Sequence, residues 1–226
     1  MNKNCFIFPH FAKCGGSSLR NQLENSNLNV YFDYEFPMHP SNKWMIEAAK
    51  RRNTETTLLN FENFDLVFGH FPISRYQRPE YRYIALMRHP IKRAVSHFFY
   101  WKDVLPETNL NAIGKNPIIK EIKSGDVDFI TFLKKYNIDN FFKRNLDGKE
   151  PKEFELVGFL EDLDSFFQNL STLFDWPFNS EVHLRKGNEN SITSDEYDFA
   201  LKYLAEEIEL FDRFRSYWEG KKIQSI

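Results

Sequence analysis

The sequence predicts an α/β fold, a single domain with a central parallel β-sheet flanked by helices. Three observations lead there. Short, mostly apolar runs recur at Cys5 to Phe8, Asp65 to Phe68, Tyr81 to Met87 and Phe154 to Phe159, as strands buried on both faces require. Stretches with helical spacing separate them, and strand–helix alternation implies parallel pairing with helical crossovers. A length of 226 residues with 42% apolar residues is ample for one core.

The elements follow in order. Cys5 to Phe8 is bounded by Pro9 and leads into Lys13-Cys14-Gly15-Gly16-Ser17-Ser18, after which Leu19 and Leu23 have helical spacing. The arrangement is strand, glycine turn, helix. A polar helical stretch spans about Ser41 to Arg52, and the strand Asp65 to Phe68 closes at Gly69-His70-Phe71-Pro72. After the strand Tyr81 to Met87, Arg88-His89-Pro90 opens a helix from about Ile91 to Trp101, proline suiting a first helical turn. Val95, Phe98, Phe99 and Trp101 predict that this helix packs against the sheet. Gly114, Pro117 and Gly125 divide the middle into short helices, including Phe129 to Tyr136 and Asn140 to Leu146. The strand Phe154 to Phe159 precedes a helix from Glu161 to Phe174. Ser194 is the expected cap of one final helix with a stripe through Ala200, Leu204, Ile208, Phe211 and Trp218.

Composition excludes several function classes. No run reaches the roughly 18 apolar residues of a membrane span, and the apolar start is too short for a signal-peptide core. Two cysteines build neither a disulfide framework nor a four-cysteine zinc site. A net charge of −2 argues against a general nucleic-acid binder. His10, His39, His89, His97 and His183 have no metal-ligand spacing, so no metal site is expected.

The first turn carries the sharpest chemistry. Backbone N–H groups at a helix start face an anion, and the helix dipole favours negative charge there. Gly15 and Gly16 allow close approach, Ser17 and Ser18 add hydroxyls, and Lys13 adds a full charge. Gly-Gly-Ser alone also describes an ordinary capped turn. The loop G-x-x-x-x-G-K-[ST] of nucleotide triphosphatases is absent, because here the lysine precedes the glycines.

F-P-H-F-A-K-C-G-G-S-S-L resembles the H-I-P-K-T-G-G-T-S-L loop of sulfotransferases that use 3′-phosphoadenosine-5′-phosphosulfate (PAPS), and most resembles that of the carbohydrate enzymes of heparan sulfate 2-O and 6-O type. Ala12, Cys14 and Ser17 depart from the pattern; Ser17 keeps a hydroxyl, and Cys14 is expected to face the core. Y-I-A-L-M-R-H-P-I-K-R-A-V-S-H-F-F-Y-W is similar to the family's L-R-D-P-x-x-R-x-x-S segment. The resemblance assigns Arg88 and Ser96 to the 3′-phosphate, as a bidentate guanidinium and a helical hydroxyl would suit. Arg93 matches a second arginine that is structural, and His89 replaces an aspartate, removing a carboxylate that could support Arg88.

His70 corresponds to the strand-end histidine that acts as general base in related enzymes; its unperturbed pKa lies near working pH. His10 is expected to buttress the Lys13 loop. Asp139 to Gly148 resembles a D-N-x-x-x-R-x-L-x-G segment at the acceptor cleft, and a surface helix with a glycine cap describes it equally. Phe154 to Leu173 resembles a structural block of the family. Arg185, Lys186 and Gly187 resemble the R-K-G loop that closes over adenine and 3′-phosphate, and a solvated loop is the alternative.

The resemblance implies a P-loop-like sulfotransferase fold over residues 1–226 and transfer of a sulfuryl group from PAPS, without metal, to an acceptor hydroxyl on a saccharide. His70 and Lys13 would be catalytic. Lys13, Gly15, Gly16, Ser17, Ser18, Arg88, Ser96, Arg185, Lys186 and Gly187 would bind the donor. Asn25 to Asn63 and Lys102 to Tyr136 match nothing and are expected to carry acceptor specificity. No nucleic-acid partner is expected, and the location is expected to be cytoplasmic. A P-loop-type small-molecule kinase and a non-catalytic nucleotide-binding protein remain alternatives.

Overall fold

The computed structural model describes residues 5–34, 63–104, 117–136, 138–179 and 191–221. Strand β1 (Phe6–Pro9) leads into helix α1 (Gly16–Glu24), followed by β2 (Val30–Asp33), β3 (Leu66–Gly69) and β4 (Arg82–Met87). Helix α2 (Pro90–Phe99) continues as a π-turn over Tyr100–Val104; α3 (Pro117–Ser124), α4 (Phe129–Lys135) and α5 (Phe141–Leu146) follow. Strand β5 (Phe154–Phe159), α6 (Leu163–Phe174), α7 (Ser194–Tyr203) and α8 (Ala205–Trp218) complete the described elements.

The sheet is parallel with strand order β2-β3-β1-β4-β5, so the expected α/β architecture is present. In register, Phe8 lies beside Phe68, Pro9 beside Gly69, and Met87 beside Phe159. Both sheet faces are covered. On one, Ile7, Val67, Ala85 and Val157 pack with Phe142 of α5 and with Phe211 and Phe214 of α8. On the other, Phe8, Phe68, Leu86 and Leu156 pack with Leu19 and Leu23 of α1 and with Phe166 and Leu170 of α6. Burial on both faces explains the unbroken apolar runs.

Three expectations need correction. Helix α2 does not direct its apolar stripe at the sheet: Ile91, Ala94 and Phe98 join a third cluster, with Val95, Phe99 and Trp101 packed on it, built from α4 and α7 residues such as Phe129, Phe132 and Ala200 and containing no strand residue. The last helix is two helices, broken at Leu204 (φ −101°, ψ 17°). The break lets one stripe serve two cores, Ala200 and Leu204 facing the helical cluster while Phe211 and Phe214 face the sheet. Its cap is Thr193, not Ser194: the Thr193 hydroxyl accepts from the Glu196 N–H, and the Glu196 carboxylate accepts from the Thr193 N–H at 2.8 Å.

Strand β2 was absent from the sequence reading. It is an edge strand of alternating burial that ends in the fully buried Asp33, whose carboxylate accepts from Arg75 Nε and from the Tyr76 hydroxyl, both at 2.7 Å. The helical stretch expected at Ser41 to Arg52 lies outside the described residues.

Candidate functional site

The site assembles at the carboxyl ends of β3, β1 and β4, where open parallel sheets collect ligands. Between β1 and α1 the chain turns through Phe11 to Gly15. The Cys14 N–H donates to the Phe11 carbonyl at 3.2 Å, and Gly15 takes a left-handed conformation (φ 83°) that glycine adopts without steric cost. Lys13 is also left-handed (φ 69°). For a residue with a Cβ this costs about 1–2 kcal/mol, and strain of this kind collects where function requires a shape. The cap residue of α1 is Gly15, and the first turn holds no acidic side chain. The positive end of the dipole is therefore not offset by a carboxylate of its own turn.

His10 closes this loop from behind. Its N–H donates to the Gly69 carbonyl at 2.6 Å, and its ring lies so close to α1 that a Cβ on residue 16 would meet Cδ2 and Nε2 at 1.9 Å. Gly16 is thus the residue that admits the imidazole. The same ring stacks on Phe68 at 5.2 Å and shares a 2.8 Å hydrogen bond with the Tyr34 hydroxyl. Burial first, then the charges of His70, Arg20 and Lys13, push the His10 imidazole well below its usual range, so it is neutral.

His70 follows β3. Its backbone N–H donates to the Asp33 carbonyl at 3.0 Å, and its Nδ1 donates to the His10 carbonyl at 2.7 Å. The His10 and His70 rings stack with centroids 4.3 Å apart.

Arg88, just after β4, is half-buried and donates from Nη1 to the Lys13 carbonyl at 3.2 Å. Burial lowers its pKa against the opposing influence of Cys14 and Glu161. The Lys13 ammonium rests over the Tyr100 ring, 4.0 Å from its centroid. The Cys14 side chain is buried in the core, where burial pushes its thiol up to about 12 and keeps it protonated.

The Lys13 loop and Arg88 are therefore in direct contact. Ser17 is half-buried and Ser18 buried in the first turn of α1. Ser96 sits half-buried in the second turn of α2, with no hydrogen bond linking it to Arg88 or to the Lys13 loop. Arg185, Lys186 and Gly187, like His39 and His183, lie outside the described residues.

The sequence signals neither the contact of Glu161 nor that of Tyr34 with the site. A carboxylate reaches the turn that carries Arg88 from the segment after β5: Glu161 Oε1 accepts the His89 N–H at 3.1 Å and steadies that turn. Arg93 is fully buried, with its guanidinium carbon 3.7 Å from the Phe141 ring centroid. It reaches into the Asp139 to Gly148 segment, which is anchored rather than superficial: Phe142 and Leu146 are buried, and the buried Glu207 accepts the Phe142 and Lys143 N–H groups at 2.8 and 3.0 Å. The segment ends with Asp147 and Gly148 both left-handed. Tyr34, next to the site through His10, carries no local sequence signal.

No helix among the described residues is long and apolar enough to cross a membrane. No family model and no curated protein matches the chain. Solved structures similar to it include two sulfotransferases. A sulfotransferase from Alicyclobacillus acidocaldarius is 16% identical, with 98% of this chain and 97% of that chain covered and a TM-score of 0.48. Mouse sulfotransferase SULT7A1 complexed with PAP is 15% identical, with 98% of this chain and 90% of that chain covered and a TM-score of 0.43.

Proposed function

We propose that the chain, over residues 1–226, is a sulfotransferase that moves a sulfuryl group from PAPS to an acceptor hydroxyl, with a saccharide as the favoured acceptor class. One observation carries the reading: on three adjacent strand ends, the left-handed Lys13 loop touches Arg88 on one side, while His70 hydrogen-bonds the residue that opens that loop on the other. The residues fit such a donor. Gly15 and Gly16 keep the loop close to the α1 N-terminus, with no carboxylate in its first turn, and Lys13 and Arg88 bring two cationic side chains to neighbouring strand ends.

The donor supplies an activated sulfur attached to a phosphate oxygen. Backbone N–H groups of Gly15 to Ser17 hold its 5′ end, the Ser18 N–H being donated to the Gly15 carbonyl at 3.2 Å. The Lys13 ammonium turns from Tyr100 to offset charge on the bridging oxygen as the sulfur–oxygen bond breaks. Arg88 and Ser96 hold the 3′-phosphate, and Arg185, Lys186 and Gly187 are assigned to the same donor. His70 accepts the acceptor proton at Nε2 as the acceptor oxygen bonds to sulfur, and adenosine 3′,5′-bisphosphate leaves. Most of the rate comes from orientation and electrostatics, as in in-line phosphoryl transfer.

The test is transfer of labelled sulfate from PAPS to pooled acceptors, read by mass spectrometry, alongside calorimetry with adenosine 3′,5′-bisphosphate and with ATP. His70→Ala is expected to keep bisphosphate binding and lose turnover. Binding of ATP in preference to the bisphosphate would favour a kinase, and full activity of His70→Ala would remove His70 from the base role.

A further inference from the structure

We infer that Tyr34 and the His10 imidazole are positioning residues that hold His70 as the tautomer protonated at Nδ1, so that Nε2 is its basic nitrogen. The purpose of this arrangement rests on the reading of His70 as the base; the arrangement itself rests on geometry alone. A carbonyl oxygen only accepts. The 2.7 Å contact between His70 Nδ1 and the His10 carbonyl therefore places the proton on Nδ1. An isolated histidine side chain prefers the opposite tautomer, so this carbonyl has to be held in place.

His10 is held through its backbone, its ring packing and its Nδ1. Its N–H is tied to Gly69, its ring is pressed on Gly16 and stacked on Phe68, and its Nδ1 is hydrogen-bonded to Tyr34. Tyr34 is buried and acts twice, since its ring also meets His70 edge-on at 4.9 Å and 87°. The His70 ring is thus gripped by a face contact from His10 and an edge contact from Tyr34, and its backbone is tied to Asp33, the neighbour of Tyr34. Burial keeps the His10 ring neutral, so what stacks on His70 is not a second cation.

The experiment is nitrogen-15 NMR of histidine-labelled full chain near neutral pH, with His70 assigned by the signal lost in His70→Gln. The unaltered chain is expected to show Nδ1 protonated and Nε2 bare. In Tyr34→Phe, which removes only the hydroxyl, the Nε2-protonated form is expected to rise, and kcat to fall about tenfold while the donor KM stays within about twofold. His10→Asn keeps a polar atom toward Tyr34 but removes the stacked ring, and it is expected to shift the tautomer ratio in the same direction. A proton on Nε2 in the unaltered chain overturns the inference, as does a Tyr34→Phe protein with unchanged tautomer ratio and kcat. Calorimetry with adenosine 3′,5′-bisphosphate on the same samples tests the transfer reading separately: no binding beside an Nδ1-protonated His70 sinks that reading and leaves the brace standing.

Discussion

Arg88 Nη1 donates to the carbonyl oxygen of Lys13 across 3.2 Å, joining the loop after β1 to the turn after β4. A guanidinium offers several donors in one plane, so Arg88 can hold this carbonyl and still present other N–H groups to an anion. Lysine keeps the charge but lacks the planar fork that spans both partners in a fixed geometry. Arg88→Lys is therefore expected to weaken adenosine 3′,5′-bisphosphate binding by about tenfold or more, roughly 1.4 kcal/mol, measured by calorimetry. Unchanged affinity would mean that Arg88 serves the loop and not the ligand.

Gly16 tests the fit between His10 and α1. Alanine favours a helix over glycine by about 1 kcal/mol, but its Cβ would sit 1.9 Å from an imidazole held by Tyr34, Phe68 and Gly69. The ring cannot move aside without breaking those contacts, and overpacking of this kind costs about 1–3 kcal/mol. Gly16→Ala is expected to lower Tm, at about 2–4 °C per kcal/mol for a chain of this size. A rise in Tm would show that the ring moves aside easily.

Much of this architecture was legible from local pattern. β5 lies where its apolar run predicted, and β1, β3 and β4 sit within a residue of their runs, because burial on both faces leaves an unbroken apolar signature. β2 was missed because Val30 and Phe32 are only partly buried and the strand closes on a charged residue that is nonetheless fully buried. The break at Leu204 was missed because the apolar stripe runs through it and only its destination changes. Within the site, Lys13, the glycines, Arg88 and His70 could be read because each stands in a short motif. Tyr34 and Glu161 act on His10 and His89 from the segments after β2 and β5, and nothing local to them reveals it.

Arg93 is a charge with incomplete compensation. Its Nε and Nη1 are buried without hydrogen-bond partners, Nη2 reaches the Ile138 carbonyl at 3.5 Å, and burial lowers its pKa to about 10. The Phe141 ring and the more distant field of Glu207 offset part of the desolvation. A buried charge with so few partners carries an unrepaid desolvation cost, which an apolar side chain of similar length removes. Arg93→Met is expected to keep or raise the midpoint of urea unfolding. A loss above about 3 kcal/mol would instead mark Arg93 as a necessary partner of Glu207.

His97 sets an acid limit on stability. Its Nδ1 is buried without a partner, its ring packs on Trp101 at 4.3 Å, and burial, with Arg93, Lys13 and His70 adding to it, lowers its pKa to about 3. In the unfolded chain the ring returns to a pKa of about 6.5. Below that value the unfolded state binds a proton that the folded state refuses. The stabilisation is therefore whole above pH 6.5 and is lost as pH falls toward 3. One such histidine removes about 1.4 kcal/mol between pH 7.5 and 5.5, and His10, shifted in the same direction, adds to the loss. Urea unfolding at the two pH values is expected to show a drop of at least about 1.4 kcal/mol. His97→Phe keeps an aromatic ring against Trp101 and Phe132, and it is expected to shrink the drop by about 1.4 kcal/mol. An equal drop in His97→Phe would mean that His97 takes up its proton in the folded chain.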